Sequence, residues 1–104
     1  IDLSFADYEY NRHTTEAPVH HPGEQVRLQC LIADSFKWSR LDLYRGATRV
    51  ATTLREEVGN PSRVLFVYEV AEDGIAQPLS VLGYDAFGKL TQVSQPATLL
   101  AIPE

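Results

Sequence analysis

Apolar and polar residues alternate along most of this chain, with the period of two that indicates β-strands. Val26, Leu28, Cys30 and Ile32 occupy every second position of one segment, with polar residues between several of them. Successive side chains of a strand point to opposite faces, so this segment predicts a strand with one buried face and one exposed face. No segment shows the 3.6-residue period of a helix longer than one turn.

Strand-like segments of this kind recur along the chain with turn signals between them. After an opening strand at Leu3 and Phe5, the alternation predicts strands over residues 24–33, 37–44, 48–54 and 63–70. Residues 55–62 contain two Glu, a Gly, an Asn and a Pro and are predicted to form an exposed, mobile loop. About seven short strands separated by turns predict an all-β fold, a single antiparallel β-sandwich.

The last quarter of the chain predicts a β-hairpin. Two alternating apolar runs between Pro78 and Ile102 are joined by the turn residues Asp85-Ala86-Phe87-Gly88. A short Asp- and Gly-containing segment between alternating runs is typical of a hairpin connection. We expect the two strands of this hairpin to complete both faces of one sheet.

Arginines surround the fourth predicted strand, at positions Arg45, Arg49 and Arg55. Charged side chains on an outermost strand discourage pairing with other chains. We therefore expect this strand, or the first strand, to form an exposed edge of a sheet.

The composition is that of an ordinary globular domain. The chain has 104 residues, 44% of them hydrophobic and 22% charged, which predicts one domain over residues 1–104. The net charge of −5, with nine scattered Lys and Arg, provides no basic surface for nucleic acid. No apolar run approaches the roughly 20 residues of a membrane span. Because the chain starts at Ile1 and contains no Met, we expect it to belong to a longer secreted or surface protein.

Three segments in sequence order resemble bacterial immunoglobulin-like and related fibronectin III-like domains. They are Pro22–Cys30, which looks like the turn and second strand, Trp38–Gly46, which looks like the third strand, and the closing hairpin. The resemblance implies an immunoglobulin-like β-sandwich with Greek-key connections. It also implies a non-catalytic module of a bacterial extracellular, periplasmic or cell-surface protein. Such a module acts as a structural spacer or a protein-interaction domain, with neighbouring domains or another protein as partners.

The chain has a single cysteine, so it cannot form an internal disulfide. Cys30 lies on the apolar face of its predicted strand, which favours an inert buried thiol over a catalytic one. Paired acids occur at Glu56-Glu57 and Glu72-Asp73, but adjacent carboxylates in polar loops do not provide the opposed groups that a glycosidase needs. No catalytic residue is predicted, and we expect the chain not to be an enzyme.

Imidazole and carboxylate groups cluster near the second strand, as a zinc site would require. They are His13, Glu16, His20, His21 and Glu24. Adjacent histidines on a strand point to opposite faces, so a solvated loop is the preferred interpretation. Asp73 and Asp85 lie in turns where calcium could bind, but neither belongs to a dense acidic cluster. No metal site and no cofactor are predicted.

Aromatic residues provide the alternative function. Tyr8, Tyr10 and Trp38 are the candidates for stacking against a sugar ring, because Tyr and Trp combine a flat apolar face with a polar edge. With a glycan as partner, the chain would be a carbohydrate-binding module or an accessory sandwich domain of a polysaccharide-active enzyme. The preferred interpretation places Trp38 in the core, and a buried Trp38 would count against the sugar-binding role.

Overall fold

The computed structural model describes residues 1–6 and 19–103, which form strands joined by turns and one short 3₁₀ helix. The strands are β1 (Asp2–Phe5), β2 (Val19–His20), β3 (Gln25–Leu31), β4 (Arg40–Arg45), β5 (Thr48–Leu54), β6 (Arg63–Glu69), β7 (Ala76–Tyr84), β8 (Leu90–Val93) and β9 (Ala97–Ala101). The 3₁₀ helix, Arg55–Glu57, follows β5. Strand is therefore the dominant element, as the period-two pattern predicts.

Two sheets pack against each other. One has the order β1-β3-β6, and the other has the order β2-β9-β7-β4-β5 with β8 also paired to β7. All strand pairs are antiparallel except β2 and β9, which run parallel. The predicted β-sandwich is confirmed, and the short parallel β2 is an element that the sequence pattern does not predict. β1 and β5 are both outermost strands, which confirms the edge prediction.

The inward faces of both sheets form one apolar core. In β3 and β6 the buried residues alternate strictly with exposed or half-buried ones, because each strand covers the core with one face. The core residues are Leu3, Val26, Leu28, Cys30, Ile32, Trp38, Leu41, Leu43, Val64, Phe66, Tyr68, Val70, Leu79, Val81, Ala97, Leu99 and Ala101. The buried face assigned to residues 24–33 from the sequence is therefore confirmed, and the strand predicted over residues 63–70 alternates in the same way.

The closing hairpin is present, but its return strand is divided. β7 pairs with β8 near its end and with β9 near its beginning, in nearly continuous register. Ser94 and Pro96 lie at the division, where Pro provides no N–H to the ladder. The Ser94 hydroxyl accepts a hydrogen bond from the Val81 N–H at 2.8 Å, and the Ser94 N–H donates to the Val81 carbonyl at 2.8 Å. The side chain thus bridges the interruption and keeps β9 aligned with β7.

Two other boundaries differ from the sequence-based prediction. The strand predicted over residues 37–44 corresponds to β4, which begins at Arg40 instead of residue 37. Residues 34–39 belong to the connection between the two sheets. The predicted loop 55–62 begins with a 3₁₀ helix, in which the Leu54 N–H donates to the Glu57 carboxylate at 3.3 Å. Pro61 and Ser62 are half-buried, so this segment is less exposed than predicted.

A buried amide organises the connection between β6 and β7. The side chain of Gln77 is fully buried; its Oε1 accepts from the Tyr68 hydroxyl and the Ala71 N–H, and its Nε2 donates to the carbonyls of Ala71 and Gly74 at 2.9 and 3.0 Å. Burial also raises the pKa of Tyr68. One side chain therefore satisfies the polar groups of a turn that packs over the core.

Gly83 lies where β7 passes beneath an aromatic ring. A Cβ at this position would be 2.6 Å from Phe36 Cε2 and 3.0 Å from Ile1 Cδ1. Gly83→Ala should therefore lower the free energy of unfolding by about 1–3 kcal/mol, as overpacking does. Urea denaturation measures this, with Gly59→Ala as the control because a Cβ there meets nothing within 4 Å. Equal effects of the two substitutions would contradict the close contact with Phe36.

Loss of the Gln77 amide should destabilise the sandwich strongly. Gln77→Ala leaves a buried hydroxyl and three backbone groups without their partner, so we expect the free energy of unfolding to fall by about 2–4 kcal/mol. Gln92→Ala, on the exposed strand β8, is the matched control and should change it by less than about 0.5 kcal/mol. A loss at Gln77 no larger than at Gln92 would show that water replaces these hydrogen bonds.

Candidate functional site

Trp38 is a core residue. Its exposure is 4%, and its indole N–H donates to the Pro61 carbonyl at 2.8 Å. The ring therefore presents no open face to a sugar, which corrects the candidate stacking role of Trp38. The physical reason is that Trp38 lies on the connection between the two sheets, where the chain crosses the core. The indole ring fills space in the core there, and its N–H group is hydrogen-bonded to the backbone. Tyr8 and Tyr10 lie outside the described residues.

A cavity of about 310 Å³ lies beside Trp38, between the connection into β4 and the segment before β6. Three of its polar side chains already make hydrogen bonds within the chain. The Ser62 hydroxyl donates to the Asp34 carboxylate at 2.7 Å, and Arg55 donates to the Val58 carbonyl at 3.1 Å. The walls therefore carry paired polar groups at a junction of two loops, which is a structural arrangement.

His20 and His21, the histidines among the described residues, do not belong to a metal-binding group. His20 Nδ1 lies 2.7 Å from a Glu24 carboxylate oxygen, and His21 Nδ1 lies 2.6 Å from the Ile102 carbonyl. The hydrogen bond with His20 lowers the pKa of Glu24. His13 lies outside the described residues. Within residues 1–6 and 19–103, no three His, Cys, Asp or Glu side chains form a metal-binding group.

The acidic residues in the turns accept hydrogen bonds from nearby groups of the same chain. Asp85 accepts hydrogen bonds from the N–H groups of Phe87 at 2.9 Å and Lys89 at 3.0 Å, which closes the hairpin turn. Asp73 accepts from the Arg45 guanidinium at 3.0 Å, and this hydrogen bond lowers the pKa of Asp73. These carboxylates therefore stabilise turns through contacts with their own chain.

The outer face of the six-stranded sheet holds a charged pair that the sequence analysis did not single out. Asp42 is 1% exposed although it points away from the core, and its carboxylate accepts from the Thr52 hydroxyl at 2.9 Å. Arg40 Nε lies 3.4 Å from the same oxygen, too misaligned for a hydrogen bond, and the Arg40 guanidinium lies 4.1 Å from the centre of the Tyr84 ring. The signal in the sequence was an Asp between Leu41 and Leu43 in the middle of a strand.

A second cavity, of about 200 Å³, separates the edges of the two sheets. Val50 on β5 and Val67 on β6 line it, together with Arg45, Tyr68, Glu69 and Ala71. Val50 and Val67 are 42% and 56% exposed. The sandwich is therefore open on the side where β5 and β6 face each other across a gap.

The described ranges contain no helix of the length and apolarity needed to cross a bilayer. In architecture the chain is similar to the fibronectin(III)-like modules of Clostridium thermocellum CbhA. The TM-score is 0.65 over 95% of this chain and 93% of that chain, with 12% sequence identity. This chain has a fibronectin(III)-like fold. No family model and no curated protein matches the sequence.

The fibronectin(III)-like sandwich encloses its one thiol. Cys30 is fully buried, and burial raises its pKa to about 12. The strand that carries Cys30 pairs it with Leu3 on one side and Val64 on the other. An enclosed, protonated thiol is a poor nucleophile, so Cys30 serves as a small packing residue.

The buried thiol predicts a loss of stability at alkaline pH. An unfolded Cys ionises near pH 9 while the native thiol stays protonated, so above pH 9 the native state binds more protons and unfolding becomes easier. We expect Cys30 to contribute a slope of up to about −1.4 kcal/mol per pH unit between pH 9 and 11. Urea denaturation of the wild type and of Cys30→Ala measures it as the difference between their slopes. Parallel pH profiles would contradict the raised pKa.

Proposed function

We propose that this chain is a non-catalytic, fibronectin(III)-like module of a bacterial extracellular or cell-surface protein, in which it acts as a structural spacer or a protein-interaction domain. In this proposal residues 1–104 form one domain of a longer protein. Its partners are the neighbouring domains of the same chain or another protein.

The proposal rests on one observation: the side chains that could act in catalysis or ligand binding already make contacts within the fold. Trp38 donates to Pro61, His21 contacts Ile102, Asp85 closes its own turn, and Cys30 is enclosed. A catalytic or ligand site needs groups that converge on a shared space and remain available. The similarity to fibronectin(III)-like modules of a bacterial protein supports the same function, although a shared fold alone does not assign one.

The carbohydrate-binding alternative has lost one of its three aromatic candidates. With Trp38 in the core, stacking of a sugar ring would depend on Tyr8 and Tyr10. A single tyrosine pair on one short segment offers less stacking surface than a platform of three aromatic rings. We therefore rank the spacer or interaction module above the glycan-binding module.

Affinity electrophoresis distinguishes the two functions. The whole chain is run through native gels that contain soluble xylan, mixed-linkage β-glucan or no polysaccharide. The spacer or interaction module predicts equal mobility in all gels for the wild type and for the Tyr8→Ala/Tyr10→Ala variant. Retardation of the wild type that this variant abolishes would establish the glycan-binding module instead.

The proposed location can be tested in the source organism. An antibody raised against the folded chain should label intact cells or detect the protein in the culture medium. A cytoplasmic marker protein should remain unlabelled in the same preparation. Detection of the chain in the cytoplasmic fraction alone would contradict the extracellular assignment.

A further inference from the structure

Within residues 1–6 and 19–103, β6 is an edge strand with a free row of backbone groups. Among these residues it pairs with β3 alone, over seven residues and without a register shift. The Ile32 N–H donates to Ser62 and the Val70 N–H donates to Glu24, so the even-numbered residues of β6 make the hydrogen bonds to β3. In an antiparallel ladder the alternate residues then direct their N–H and C=O groups to the other edge. These residues are Arg63, Leu65, Val67 and Glu69.

The other edges are protected in ways that β6 is not. β1 has four residues, and the ladder between β4 and β5 shifts register between Leu43 and Tyr44. β5 also carries the exposed Arg49. Short edges, irregular edges and charged edges disfavour pairing with another chain. β6 has seven residues and a regular ladder, and its central outward residues are apolar: Leu65 is 48% exposed and Val67 is 56% exposed.

The outward residues of β6 are complementary to themselves. In sequence order they are basic, apolar, apolar and acidic: Arg63, Leu65, Val67 and Glu69. An antiparallel copy of β6 related by a two-fold axis at Phe66 places Leu65 opposite Val67. The same register places Arg63 opposite Glu69 of the second copy, twice per pair. It also brings the free backbone groups of both strands face to face, because odd-numbered residues then oppose odd-numbered residues.

We propose that the β6 edge binds a second copy of this chain, by antiparallel pairing of β6 with β6. The two three-stranded sheets join into one continuous sheet of six strands with about eight new backbone hydrogen bonds. Opposite-charge and apolar cross-strand pairs add to these bonds and fix the register. A second copy fits better than an unrelated strand, because an antiparallel copy of the same strand places Arg63 opposite Glu69 at both ends. One strand pair buries less than a standard interface of about 1,200–2,000 Å², so the dimer is weak.

Charge-swap variants test both the dimer and its register. Sedimentation equilibrium of the whole chain, from micromolar to millimolar concentration, should show a reversible monomer–dimer equilibrium. Arg63→Glu and Glu69→Arg each place like charges opposite each other, so each should weaken the dimer roughly tenfold. The double variant Arg63→Glu/Glu69→Arg restores opposite charges and should recover the wild-type dissociation constant.

The design separates pairing from net charge. Arg63→Glu makes the chain more negative and Glu69→Arg makes it less negative, so a pure net-charge effect would move the dissociation constant in opposite directions. Arg49→Glu, on β5, makes the same charge change as Arg63→Glu but lies away from β6. It should weaken the dimer only as much as the change in net charge does, and therefore less than Arg63→Glu. Gln29→Ala removes the hydrogen bond that Arg63 donates within the chain at 2.7 Å and should also leave the dimer intact.

Amide hydrogen exchange provides a readout that locates the interface. The N–H groups of Leu65 and Val67 should gain protection as concentration rises, whereas those on the free edge of β5 should not. A chain that stays monomeric at millimolar concentration overturns the proposal. So does a dimer whose strength ignores the β6 charges. Protection of Leu65 and Val67 that arises with a neighbouring module, and not with concentration, would assign the edge to that module instead.

Discussion

Every part of this structure depends on joining two sheets by packing alone. The single cysteine has no partner, so no disulfide links the sheets, and Cys30 packs as one more apolar side chain with no exposed surface. The strands over the core therefore bury one face, to which Leu28 and Leu99 belong in opposite sheets. Polar groups that cross this core have to find partners within the chain, because an unpaired buried group is costly.

That constraint explains why most buried polar side-chain groups in the described part of the molecule are hydrogen-bonded. It also explains why few reactive side chains there remain without contacts. The Trp38 indole and the Gln77 amide are polar groups that the packing encloses, and each is satisfied by backbone atoms of a sheet-to-sheet connection. Histidine and carboxylate side chains near the turns bind the backbone in the same way. The groups that remain available belong to sheet faces and sheet edges.

The alternation of side chains accounts for what the sequence predicted well. The bounds of β5, Thr48–Leu54, agree with the predicted fourth strand because β-branched residues follow a Gly turn. The hairpin was predictable because its apolar period continues on both sides of Asp85. The division of its return strand was not, since the Ser94 hydroxyl replaces a backbone group across the interruption. The burial of Asp42 was also missed, because it depends on Thr52 and Arg40 covering an outward position.

By itself, the sequence determined that the chain is a β-sandwich and which face of a regularly alternating strand such as β3 is buried, because a period of two is a local property of the backbone. The tertiary structure alone decided the order of the strands within each sheet, and that Trp38 lies against Pro61. Strand order depends on pairing between segments far apart in the chain, such as β3 with β6 and β4 with β7. Local patterns hold no information on such distant partners, because any half-buried strand can pair with any other until the sheets assemble.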